Sequence, residues 1–176
     1  MGRPKALLDY RGETFVDRLI RIFSKPCDPV IVVAGYHADA IRTHLNGHAT
    51  LVINPDPARG QLSSLQTALA AVPATAEAFL FTPVDSPSVS EDTVGRLIDE
   101  FRLHPAPFVI PRFQGRRGHP VCAASSMIAE FLALPPTAET REIVTCHESQ
   151  ITYLDVKDPG VLADIDDLEA YRKLVS

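Results

Sequence analysis

The sequence predicts an α/β fold: a mostly parallel, mixed sheet in a Rossmann-like three-layer arrangement. Three observations carry this. Short apolar runs at 30–33, 50–53 and 78–84 alternate with single amphipathic helices, the pattern of β-α-β units. Clusters of proline, glycine and asparagine close most of these runs. The length, 176 residues, suits one domain, and folding a chain of this size buries roughly 70% of its extended surface. We therefore expect a single domain over 1–176.

Residues 13–23 are helical by pattern. Phe15, Leu19, Ile22 and Phe23 recur at the helical period, and Thr14 with Asp17 has the spacing of an N-terminal cap. Pro26 and Pro29 break the chain. Val30–Val33 is a continuous β-branched run, expected as a strand buried on both faces. Residues 37–45 form a short helix with Ile41 and Leu45 inward, stopped at Asn46-Gly47. Thr50–Ile53 is the next strand. A helix over 62–72 carries Leu62, Leu65, Leu69 and Val72 on one stripe. Ala78–Val84 is a strand. Ser90 caps a helix in which Val94, Leu97, Ile98 and Phe101 follow the i, i+3, i+4, i+7 spacing. Beyond residue 105 the pattern loosens. Residues 107–111 and 120–123 are short strands around a turn at Gly115–Gly118, an antiparallel excursion. Helices follow near 125–133 and 139–147, then a strand at Ile151–Val156. A closing helix over 167–175 turns Leu168, Tyr171 and Leu174 inward.

Composition narrows the function. Seventeen basic against 22 acidic residues leave a net charge of −5, the wrong balance for a nucleic-acid binder. The one dense basic spot is Arg112, Arg116 and Arg117. Aromatics are 7% and tryptophan is absent, which disfavours a stacking platform for single strands. Three widely spaced cysteines, Cys27, Cys122 and Cys146, form no metal or disulfide pattern and favour a reducing compartment. The expected location is the cytoplasm. No apolar run reaches the roughly 18 residues of a membrane span.

Open α/β sheets bind ligands beyond the carboxyl ends of their strands. Asp85 follows an apolar strand and precedes Pro87, so its carboxylate should emerge at that edge, where it can hold a hard cation or cap the next loop. Asp164 and Asp166 follow the last strand and could complete a metal site; Asp166 could equally cap the closing helix. Gly60-Gln61-Leu62-Ser63-Ser64 leads into a helix whose first N–H groups can meet an anion, or is a glycine turn with a serine cap. Gly118-His119-Pro120 opens a short strand. No serine-hydrolase elbow and no P-loop occurs.

Five segments, in this order, resemble the MobA-like NTP transferases, in particular their molybdenum cofactor cytidylyltransferase branch. Met1-Gly2-Arg3-Pro4-Lys5-Ala6-Leu7-Leu8 is similar to the second half of L-A-A-G-x-S-x-R-M-G-x-x-K. The others are Gly60 to Leu65, Pro83-Val84-Asp85-Ser86-Pro87, Gly118-His119-Pro120-Val121, and Asp158-Pro159-Gly160 through Asp164-Ile165-Asp166. The resemblance spans essentially the whole chain.

The resemblance implies Mg²⁺, with Mn²⁺ as a substitute, and CTP as nucleotide. CMP would pass to a molybdopterin-type phosphate with release of pyrophosphate. Lys5 would contact the triphosphate, and Asp85 with Asp164 or Asp166 would hold the metal. Gly60, Gln61, Ser63 and Ser64 would meet base and ribose. Gly118, His119 and Pro120 would face the acceptor. A molybdoenzyme or its chaperone is the implied protein partner. GTP, a sugar or alcohol phosphate as acceptor, or a catalytically inactive nucleotide-binding role are the alternatives. The family's first strand and glycine-rich loop stand ahead of the position of Met1. The resemblance therefore predicts a sheet interrupted at its middle, a weakly stable or self-associating chain, and a poorly held Lys5.

Overall fold

A capped helix follows the opening hairpin. The computed structural model describes residues 4–45, 47–135 and 137–175. A 3₁₀ turn at Lys5–Leu7 leads into β1 (Asp9–Tyr10) and β2 (Glu13–Thr14), which pair antiparallel through Arg11 and Gly12. Helix α1 (Phe15–Phe23) starts where the Asp17 N–H donates to the Thr14 hydroxyl at 3.2 Å, satisfying an otherwise orphaned amide. Its buried stripe includes Phe15, Leu19, Ile22 and Phe23, as the periodicity requires.

Strands β3 (Ile31–Ala34) and β4 (Thr50–Ile53) flank α2 (Ala38–Arg42) and pair parallel in register Ile31 to Thr50. Of the expected stop at 46–47, Asn46 lies outside the described residues, while Gly47 has a φ of +76°. Helix α3 (Gln61–Leu69) precedes β5 (Ala78–Phe81). The strand ends three residues short of Val84, since Pro83 has no N–H for a ladder. Helix α4 (Glu91–Leu103) is capped by Ser90, whose hydroxyl accepts from the Thr93 N–H at 3.2 Å.

The second half is the antiparallel excursion. Strands β6 (Phe108–Phe113) and β7 (Arg116–Arg117) form a hairpin closed by Gln114 and Gly115, both at positive φ. Strand β8 (Val121–Ala124) lies antiparallel between β5 and β6. Helices α5 (Ile128–Ala133) and α6 (Thr140–Cys146) follow. Strand β9 (Ile151–Asp155) then pairs parallel with β6, and α7 (Leu168–Val175) ends the chain. In this five-stranded sheet β5, β6 and β9 run one way and β8 the other, a mixed sheet in an α/β fold.

Alternation along β6 builds the layers. Phe108 and Ile110 pack with Leu62 and Leu69 of α3 and Phe131 of α5. Val109, one residue out of phase, packs with Leu97 and Phe101 of α4. The Phe131 ring meets Phe79, Phe81 and Phe108 edge-on with centroids 6.0–6.1 Å apart, a favoured aromatic arrangement.

Two expectations need correction. Ile31, Val32 and Val33 are only half-buried, not covered on both faces. Their strand and β5 belong to separate sheets, and among the described residues neither has a strand on its other edge. Both line an apolar cleft of about 1610 Å³ whose walls include Leu19, Ile20, Leu62 and Leu69. Leu168, expected inward, is 48% exposed. It starts α7 ahead of the contact made by Tyr171 and Leu174, where the Tyr171 ring lies 6.1 Å from that of Phe15.

Among the described residues no helix is long and apolar enough to cross a membrane.

Candidate active site

Parallel β5 and β9 end at the same edge of the sheet, so the loops that follow them can meet. The Ile165 N–H donates to the Asp85 carbonyl at 3.0 Å and ties those loops together. Arg18 donates from Nε to the Pro87 carbonyl at 2.7 Å and holds the far side of the Asp85 loop against α1. As a result Asp85, Asp164 and Asp166 each bring a carboxylate oxygen within 4.8 Å of the others.

Lys5 joins them. Its Nζ donates to Asp166 Oδ1 at 2.8 Å and to Asp85 Oδ2 at 3.1 Å. Lys5, expected to be poorly held, has two carboxylate partners, with its side chain 32% exposed. Asp166 is free for this because Asp167 takes the capping task, accepting the Ala170 N–H at 2.8 Å.

The electrostatics follow from this crowding. Burial first, then the charges of Asp85 and Asp166, push the Asp164 carboxyl above its ordinary range. The hydrogen bond from Lys5 holds Asp166 below it. Burial works against the Lys5 ammonium, but its bonds to Asp166 and Asp85 outweigh that and raise it. Asp85 Oδ1 is buried with no hydrogen-bond partner. An orphaned carboxylate oxygen beside two further carboxylates, with an ammonium already standing among them, is a donor set that fits a hard divalent cation.

The remaining sequence candidates divide. Gly60 stands at the start of α3 with φ +87°, and Gly60, Gln61 and Ser64 line the large cleft. Ser63 does not. It is buried, its hydroxyl donates to the Gly60 carbonyl at 2.7 Å, and it accepts from Asn54 Nδ2 at 2.9 Å. The same Asn54 amide donates to Ser64 Oγ at 3.0 Å. Asn54 thus fixes the start of α3, a role its position after β4 did not reveal.

Gly118 lets two chains touch: a Cβ there would stand 2.2 Å from the Val161 carbonyl oxygen, which also accepts the His119 N–H at 2.8 Å. Gly118 and His119 line a second cavity, of about 400 Å³, with Gln61, Asp85, Asp164 and Asp166. Burial lowers the His119 imidazole against the opposing pull of Asp85, and its Nδ1 is without a partner. Pro120 is corrected: it is buried and lines neither cavity. Asp158 is structural. It accepts from the Ser90 N–H, the Thr93 hydroxyl and the Gly160 N–H, each at 2.8 Å. Arg116 and Arg117, which in the sequence form only a basic spot, also line this cavity. Arg117 is paired with Glu148 and lies over the Tyr153 ring.

Carboxylates gathered with a lysine at the strand ends of a mixed α/β sheet have the chemistry to hold a cation beside an anionic group. The comparisons state the class: residues 1–151 match the MobA-like NTP transferase domain, and the chain belongs to that family. It is 26% identical over 168 residues to the molybdenum cofactor cytidylyltransferase of Escherichia coli, covering 94% of this chain and 84% of the relative. It is 32% identical over 186 residues to the nicotine blue oxidoreductase of Paenarthrobacter nicotinovorans, covering 99% and 90%. Among solved structures, Rv0371c of Mycobacterium tuberculosis superposes with a TM-score of 0.84 at 27% identity, over 99% of this chain and 90% of that one. A structure of Rv0371c in complex with manganese gives 0.81 at 25% identity, over 98% and 91%.

Proposed function

We propose that this protein transfers CMP from CTP to the phosphate of a molybdopterin-type acceptor and releases pyrophosphate. The observation that carries this reading is the meeting of Asp85, Asp164 and Asp166 around the Lys5 ammonium. The family match and the resemblance to the Escherichia coli cytidylyltransferase support the choice of chemistry and acceptor.

In this reading an acceptor phosphate oxygen attacks the α-phosphorus of CTP. The bond from that phosphorus to the bridging oxygen of the β-phosphate breaks, and the electron pair leaves with pyrophosphate. Asp85 and one or both of Asp164 and Asp166 hold Mg²⁺ or Mn²⁺, which supplies charge neutralisation on the phosphates. Lys5 adds a positive charge where the leaving group gains negative charge. Gly60 leaves the first N–H groups of α3 accessible to the nucleotide. Gly118 and His119 border the acceptor side, where a neutral imidazole offers a hydrogen-bond partner without adding charge. No covalent intermediate on the protein is required.

The test is pyrophosphate release from CTP or GTP with Mg²⁺ and a molybdopterin acceptor, for the protein and Asp85→Asn. Release with CTP that fails in the variant is the expected result. Preference for GTP, or for a sugar or alcohol phosphate, would move the substrates within the same chemistry. Nucleotide binding without release would favour an inactive binding role. Oxidation or reduction of nicotine blue instead would favour the activity named for the Paenarthrobacter relative.

A further inference from the structure

We infer that Lys5 is a displaceable gate on the metal seat, so that a divalent cation enters with the nucleotide more readily than alone. The inference rests on the metal reading above and adds an order of events to it. The Lys5 ammonium lies 2.8 Å from Asp166 Oδ1 and 3.1 Å from Asp85 Oδ2, two of the three carboxylates that gather within 4.8 Å. Divalent cations take such oxygens at roughly 2.0–2.6 Å. A cation bridging these two carboxylates would crowd the ammonium in the space between them.

A bare divalent cation must therefore turn Lys5 out into water and leave it unpaired. A triphosphate changes that balance, because it offers the released ammonium a new anionic partner. The residue is able to move. It sits in a three-residue 3₁₀ turn with one-third of its side chain exposed, and both its partners contact it through flexible side-chain atoms. The same ammonium thus opposes free metal and supports metal with nucleotide.

These two effects have opposite signs, which a merely structural lysine would not produce. Mn²⁺ binding is measured by electron paramagnetic resonance at low ionic strength, alone and with CTP, for the protein and Lys5→Met. Ion pairs of this exposure are worth up to about fivefold each. Lys5→Met is expected to tighten Mn²⁺ alone by about tenfold, and to weaken Mn²⁺ binding in the presence of CTP. A second measurement needs no variant. The ¹⁵Nζ resonance of Lys5 in the unaltered protein should shift when Mg²⁺ alone is added to saturation, and again on adding CTP. If the variant leaves Mn²⁺ affinity unchanged or weakens it, or if the resonance ignores saturating Mg²⁺, Lys5 is not a gate although the metal site stands. If Mn²⁺ binds neither protein at millimolar concentration, the metal reading falls and the gate with it.

Discussion

Replacing Gly118 by alanine tests the contact that seats the segment leading to Asp164 and Asp166 against the chain just before β8. The added Cβ would begin 2.2 Å from the Val161 carbonyl oxygen and 2.7 Å from its carbon. Contacts under 3.0 Å are essentially never seen, so the backbone must move by about 0.8 Å or more. The carbonyl that moves is also the acceptor of the His119 N–H. Overpacking costs roughly 1–3 kcal/mol, and loosening a buried hydrogen bond roughly 1–3 kcal/mol. The sum is about 2–6 kcal/mol, and at roughly 2–4 °C per kcal/mol for a chain of this size the melting temperature should fall by at least about 4 °C. Val161 leads within five residues to Asp164 and Asp166, so Mn²⁺ affinity should fall as well. Gly95→Ala is the control. Nothing lies within 4 Å of a Cβ at that position of α4, and the change should stabilise by roughly 0.5–1 kcal/mol. Thermal melts and Mn²⁺ titrations of both variants check this. A Gly118→Ala protein that melts with the unaltered protein and binds Mn²⁺ equally well would refute the reasoning.

Two further outcomes are expected. Asp158→Ala removes the acceptor of two hydrogen bonds at the start of α4 and of one from Gly160 in its own loop, and should cost roughly 1–3 kcal/mol in a denaturant melt at pH 7. Burial raises the Asp158 carboxyl, but its bonds outweigh that and hold it below 3.8. Its stabilisation is therefore full above that value and is lost as pH falls through the folded pKa, so the two proteins should converge in strong acid. An N-terminal extension bearing a short apolar strand and the loop L-A-A-G-x-S-x-R should raise the melting temperature, because the cleft between β3 and β5 offers apolar walls and two strand edges. Equal melting and equal pyrophosphate release with and without the extension would show that the cleft does not take a strand.

By itself the sequence determined the local elements and the edge at which chemistry would gather. Thr14 and Ser90 announced their helices because a cap is a contact between residues three apart. Residues 107–111 read as a short strand because a brief apolar run stands beside the turn at Gly115–Gly118. Asp85 was legible because a carboxylate just past an apolar strand has few places to go. Tertiary structure alone decided the assignments among neighbours. Asp166 and Asp167 are equivalent in sequence, yet Asp167 caps α7 and Asp166 pairs with Lys5, 161 positions away. Ser63 and Ser64 look like ligand-facing hydroxyls until Asn54 is seen to claim both. Val30–Val33 reads as a doubly buried strand, but burial depends on what lies across the cleft, which the residues of the strand do not encode. Short-range hydrogen bonds and periodicity are properties of a segment; the competition of distant groups for the same donor, cation or surface is a property of the assembled fold.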